Sequence, residues 1–315
     1  MLRRRVLSSL LALSLLSGCA STSGAAPSGT TVTESPTSNA PVPFRVERSG
    51  KGRPVVFIPG LASSGEVWSE TVAHLGGQYD SHVLTLAGFA GQPAISAPFF
   101  ETQRRAVAAY LREQGLEKPI LVGHSLGGVL ALAVAADVPE LVGGLVVVDS
   151  LPFLPAGMYP GATVESSRPH ADQMRTQMRT QPAAQRNEVL RQTMRRYITD
   201  AARQDVAFRW GNQSDPDAVA QAMYELMTTD LRPALHRITA PTLVLGSWIA
   251  LKGQVPRETV EAVYEGQYAS LPNARVVMHD TARHFIMWDD PAGFFRELDG
   301  FLGAHAPVAR VEPRP

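Results

Sequence analysis

A serine hydroxyl becomes a useful nucleophile only when a base takes its proton and the backbone holds it out at a bend. This chain of 315 residues has one segment with the residue types for that: Gly123-His124-Ser125-Leu126-Gly127. It directly follows the apolar run Ile120-Leu121-Val122 and leads into the small-residue stretch 128–136. Strand, tight turn and helix in that order form a nucleophile elbow, in which the flanking glycines leave room for the strained turn that presents Ser125. A matching base lies far downstream. His284, in Ala282-Arg283-His284-Phe285-Ile286, comes just after the strand-like run 274–279. His124 reads as a packing residue beside the nucleophile rather than a second base.

Several further segments stand in a recognisable order. Val55-Val56-Phe57-Ile58-Pro59-Gly60-Leu61, Leu84-Thr85-Leu86-Ala87-Gly88-Phe89 and Ile238-Thr239-Ala240-Pro241-Thr242-Leu243-Val244-Leu245-Gly246 resemble the third strand with its oxyanion loop, the fourth strand, and the entry to the seventh strand of the α/β-hydrolase superfamily. The resemblance spans residues 42–302. It implies an α/β fold, with a mostly parallel central sheet flanked by helices and an inserted helical cap. It also implies hydrolysis of small or hydrophobic carboxylic esters through an acyl-enzyme, with no metal and no organic cofactor. The backbone N–H groups of Leu126 and Leu61 are the expected oxyanion hole. Pro59-Gly60 stands where the family often has His-Gly. Because the donors are main-chain groups, that replacement alters the loop without removing the hole. A serine in the elbow argues against the family branches that use an aspartate there.

The third member of a triad is harder to place. In the commonest family pattern the carboxylate follows the seventh strand, but 242–246 runs into Ser247-Trp248-Ile249-Ala250-Leu251-Lys252, which has no Asp or Glu. Asp149 ends the apolar run Leu145-Val146-Val147-Val148, at a strand's carboxyl end, where open α/β sheets place their ligand sites. Some family members carry their acid there, so Asp149 is the expected acid. Glu258 and Glu261, on the helix after the seventh strand, and Asp280, just ahead of His284, are its rivals.

Around these residues the chain divides at 1–18, 19–43, 44–150, 151–236, 237–304 and 305–315. The block 44–150 and the block 237–304 read as the two parts of the hydrolase core. The insert 151–236 is far longer than a connecting loop and reads as a helical cap broken at Pro182 and Pro216. Met174 and Met178, and Met223 and Met227, recur at i, i+4 and share helix faces, as core or as an apolar lid. Arg175, Arg179, Arg186, Arg191, Arg195 and Arg196 read as a solvated face, with anionic lipid or an acidic substrate as the alternative. The last block, 305–315, is a C-terminal tail.

The first residues concern location. Met1-Leu2-Arg3-Arg4-Arg5 is a basic start, and the apolar stretch 6–16 is short of the roughly 20 residues that span a bilayer. Leu16-Ser17-Gly18-Cys19 resembles a bacterial lipobox, which implies cleavage before Cys19 and its lipidation. Cys19 is the one cysteine of the chain, so no internal disulfide can form. The Ser-, Thr-, Pro- and Gly-rich residues 20–43 read as a disordered tether. Ala20 after the lipidated position resembles outer-membrane sorting. The expected setting is therefore a bacterial cell envelope, with the protein lipid-anchored to the outer membrane and facing the periplasm. With 29 basic and 29 acidic side chains the formal net charge is zero, and no nucleic-acid footprint is expected. Sequence leaves open the oligomeric state. It also leaves open a lactone, amide or carbon–carbon bond hydrolase on the same triad, and a non-catalytic envelope binding protein with this fold.

Overall fold

Apolar runs bounded by Gly and Pro become strands, and the intervening stretches wind over them as helices. The computed structural model describes residues 43–305. The expected signal peptide, Cys19, the tether up to residue 42 and the tail beyond 305 lie outside the described residues. Seven strands, β1 (Phe44–Ser49), β2 (Arg53–Ile58), β3 (Tyr79–Leu86), β4 (Ile120–His124), β5 (Gly144–Val148), β6 (Thr242–Ser247) and β7 (Ala274–His279), form one sheet in the order β1-β3-β2-β4-β5-β6-β7. β1 runs antiparallel to β3, and every other neighbouring pair is parallel.

The central strands are apolar on both faces because helices cover both. Val56, Ile58, Leu121, Leu145, Val147 and Val244 join one core with α2 (Phe99–Glu113), α3 (Leu126–Asp137) and α9 (Arg257–Tyr268). Their alternate neighbours Val55, Phe57, Val122, Val146, Val148 and Leu245 join the other, with α1 (Ser69–Leu75), α10 (Ile286–Asp289) and α11 (Pro291–Ala304). Each such buried side chain contributes about 1.5–3 kcal/mol relative to exposure. α3 is apolar all round and buried from Leu126 to Ala136, as expected of a helix enclosed on every side.

Between β5 and β6 the chain forms α4 (Leu154–Met158), α5 (Val164–Thr180), α6 (Ala183–Tyr197), α7 (Ala201–Gln213), α8 (Pro216–Thr228) and a short 3-10 turn. Pro182 stands just before α6, and Pro216 opens α8, where its missing N–H costs no helical bond. Asp200 and Asp215 cap α7 and α8 through their side chains. Of the arginines expected to form a solvated face, Arg179, Arg191, Arg195 and Arg196 are exposed, while Arg175 and Arg186 are half-buried in this layer. Arg175 binds Asp172 and lies over the Tyr224 ring, Arg179 pairs with Asp217, and Arg191 covers Phe208. Long side chains with apolar stems and charged heads serve as struts between helices as readily as they face water. Met227 is buried, and Met223 packs against the larger core.

Candidate active site

Four strands end on a non-glycine residue, or a loop carrying one, with positive φ: Ala62 after β2 (φ 55°), Ala90 after β3 (φ 46°), Ser125 after β4 (φ 53°) and Asp149 after β5 (φ 45°). Such backbone conformations are costly and concentrate where a site over-determines the chain. Ser125 has ψ −120° and immediately precedes α3. Its turn tolerates no larger neighbours. A Cβ on Gly127 would sit 2.3 Å from the Ile58 carbonyl oxygen, and one on Gly123 would sit 2.3 Å from that of Gly127. The turn is held from below, where Ser125 N–H donates to the Val148 carbonyl (2.9 Å) and Ser150 Oγ donates to the Ser125 carbonyl (2.7 Å). Tyr268 Oη donates in turn to the Ser150 carbonyl (2.9 Å).

His284 lies in the loop between β7 and α10. Its Nδ1 is 2.6 Å from Asp149 Oδ2, a short charge-assisted contact. A carboxylate can only accept, so Nδ1 carries the proton and Nε2 keeps its lone pair for the other side of the ring. Asp149 is tied on its far oxygen as well, with Oδ1 accepting from the Ser247 amide (2.8 Å) and from Tyr264 Oη (2.7 Å). The structure therefore brings Asp149 and His284 together. It commits the rival acids elsewhere: Asp280 accepts from Trp248 Nε1 and Arg257, Glu261 pairs with Arg257, and Glu258 is exposed.

His124, the chain neighbour of Ser125, reaches the loop that carries His284. The His124 ring lies 4.6 Å from that of His284, and its Nε2–H donates to the His284 carbonyl at 3.0 Å. Burial, and then the adjacent His284, hold the His124 pKa well below its ordinary value, so the ring stays neutral and acts as a tie between elbow and base loop. Ser125 Oγ forms no hydrogen bond of 3.5 Å or less with His284 among the described residues.

The loop leaving β2 supplies the other wall. A Cβ on Gly60 would be 3.0 Å from His124 Nδ1 and 3.2 Å from Ser125 Cβ, so glycine lets this loop approach the elbow without pushing it back. The amides of Leu61, next in that loop, and Leu126, first in α3, donate to no backbone carbonyl among the described residues. Main-chain donors with no partner beside a nucleophile are what an oxyanion requires.

Sequence reasoning missed three neighbours of this centre. Tyr264 on α9 and the Ser247 amide hold the Asp149 carboxylate, and the ring of Tyr197, at the end of α6, lies tilted 4.7 Å from the His284 ring. The cap is fastened to the base loop there, because Phe285 N–H donates to the Tyr197 carbonyl and Arg283 donates to the carbonyls of Arg195 and Ile198. The one signal in the sequence was the absence of a carboxylate after β6, which marked Ser247 as an unusual position without saying what it would do.

A doubly covered parallel sheet with a strained serine elbow and a His–Asp pair at its carboxyl edge defines a hydrolase architecture. The chain belongs to the alpha/beta hydrolase family, whose sequence model matches residues 55–297, and it is a hydrolytic enzyme. The pimeloyl-[acyl-carrier protein] methyl ester esterase of Klebsiella pneumoniae subsp. pneumoniae is 30% identical over 256 residues, covering 78% of this chain and 91% of the relative. The N-formylmaleamate deformylase of Pseudomonas putida is 26% identical over 263 residues, covering 80% and 90%. Among solved structures, the esterase of Exiguobacterium antarcticum superposes with a TM-score of 0.69 at 20% identity, covering 82% and 95%. That likeness concerns the fold.

Proposed function

We propose that this hydrolase cleaves carboxylic esters of small or hydrophobic substrates through an acyl-enzyme on Ser125, with His284 as general base and acid and Asp149 as its orienting carboxylate. The observation that carries the reading is the 2.6 Å contact between His284 Nδ1 and Asp149, beside a serine held at φ 53°. In this reading His284 Nε2 takes the Ser125 proton as Oγ attacks the carbonyl, and Asp149 stabilises the imidazolium without accepting a proton itself. The amides of Leu61 and Leu126 receive the negative oxygen of the tetrahedral intermediate. His284 then protonates the departing alcohol, and a water deprotonated by His284 releases the acid.

The esterase named above supports the ester reading. The likeness to an N-formylmaleamate deformylase favours a second one, in which the same groups act on an amide, lactone or carbon–carbon bond. A panel of p-nitrophenyl and methyl esters of increasing acyl length, with lactones and N-formyl amides beside it, separates the two. The ester reading predicts kcat/KM highest on esters, and turnover confined to amides or lactones would replace it.

The lipobox-like Leu16-Ser17-Gly18-Cys19 supports a further proposal about place: the hydrolase is tethered to the bacterial envelope through lipid on Cys19. Labelled palmitate should enter the wild-type protein and not Cys19→Ser. Equal labelling of both, or of neither, contradicts the tether.

A further inference from the structure

The Asp149 carboxylate is held by groups from β6 and α9 as well as by His284. In the pattern the chain resembles, a carboxylate follows the strand that is β6 here, and in this molecule β6 ends at Ser247 with no Asp or Glu in 247–252. Ser247 offers its amide to Asp149 Oδ1 at 2.8 Å, while its hydroxyl lies 3.4 Å from Oδ2. The remaining donor comes from α9, where Tyr264 Oη lies 2.7 Å from the same Oδ1. Thus Oδ1 is fully engaged, and Oδ2 is turned to His284.

Tyr264 reaches this point because Gly246 has no side chain. A Cβ there would lie 3.0 Å from the Tyr264 ring and 2.7 Å from Met278 Sδ. The ring is nearly inaccessible, at 6% exposure. Burial, followed by the neighbouring carboxylate, pushes the phenol well above its ordinary range, so it retains the proton it donates. A buried phenol aimed at the carboxylate that faces the base has a direct route to the chemistry.

Accepting the Ser125–His284–Asp149 reading, on which it rests, we infer that Tyr264 is a positioning residue that fixes the Asp149 carboxylate and draws off part of its charge, so setting how strongly His284 holds a proton. The titratable groups facing the Asp149–His284 pair from the surrounding elements are His124 on β4, Tyr197 on α6, and Tyr264 and Tyr268 on α9. His124 stays neutral, and the three phenols remain protonated, so none of them titrates with the base. A donor to a carboxylate disperses its negative charge. Removing Tyr264 Oη therefore leaves Asp149 a stronger partner for the imidazolium but a less firmly oriented one. The acidic limb of the kcat/KM profile moves to higher pH, while the plateau falls.

The test is a double-mutant cycle on an ester substrate, with the folded state of each variant checked by thermal melting. Tyr264→Phe keeps the ring and is expected to lower kcat about 10- to 100-fold, the loss of one hydrogen bond to a charged group. KM should be little changed, and the acidic limb should shift upward. In an Asp149→Asn background the same change should have almost no effect, because the group it acts through is gone. A folded Tyr264→Phe with wild-type kcat and pH profile, or an effect that persists undiminished in Asp149→Asn, overturns the inference while leaving the triad reading standing. An Asp149→Asn variant near wild-type activity overturns both. Should Tyr264→Phe fail to fold, 3-fluorotyrosine at position 264 serves instead. Its more acidic phenol donates more strongly and should move the acidic limb downward, and an unmoved limb rejects the role.

Discussion

Asp149→Asn is expected to lower kcat about 10⁴-fold with the fold intact and KM little altered. The amide is nearly isosteric, and the Ser247 N–H and Tyr264 Oη donors can still be met by its oxygen. What changes is the group facing His284. An NH2 at the Oδ2 position cannot accept from Nδ1–H, so the imidazole takes the other tautomer and turns its protonated Nε2 toward Ser125. The nucleophile then has no base. Steady-state kinetics with a melting curve check this. Near-wild-type turnover in Asp149→Asn, with loss in Glu258→Gln or Asp280→Asn, would move the acid elsewhere. The hydrogen bonds of Asp280 to Trp248 and Arg257 oppose that outcome.

The elements that position the site were legible to the extent that burial on both faces writes itself as continuous apolar residues. β2, β4, β5 and β6 follow such runs, whereas β7, at one sheet edge, is buried only at Met278 and His279. β3 begins at Tyr79, well ahead of the apolar residues that suggested it at 84, because its first half is polar. His82 Nδ1 pairs with Tyr110 Oη on α2, and Asp80 accepts from Arg48 on β1. β1 gave no signal at all. It lies at the other sheet edge, and its alternation is confined to Phe44, which is buried, and Val46, which is partly so, too short to mark a strand against the polar residues that follow.

The same logic separates the visible from the hidden parts of the site. Ser125 was readable because the elbow forces glycine on its neighbours, and His284 because it follows a strand near the end of the core. Asp149 was readable as the last residue of an apolar run, although only the vacancy after β6 directed attention to it. Tyr264 stands 115 positions from the carboxylate it touches, and its partner atom is set by helix packing against Gly246. No local pattern encodes such a contact. Tyr197 was hidden for a related reason. The cap was readable as helical, but which helix end meets the base loop depends on how the layers stack.

Ser125→Ala is expected to have the largest effect of all, a fall in kcat of about 10⁶-fold. The alanine methyl fits where the serine Cβ already lies, and the backbone hydrogen bonds that hold the turn do not involve Oγ, so the variant should fold and bind substrate. With the nucleophile removed no acyl-enzyme can form. The residual rate then reflects only the oxyanion donors and substrate positioning. A variant that kept more than a small fraction of wild-type turnover would mean that water, activated by His284, attacks the substrate directly.

The most direct test of a covalent route is to find the bond. A fluorophosphonate phosphonylates a serine only where an adjacent base activates it. Intact-mass measurement of the treated wild-type protein should show a single adduct, and peptide mapping should place it on Ser125, with none in Ser125→Ala. An adduct on another residue, or active ester turnover by a protein that never acquires one, would contradict the account.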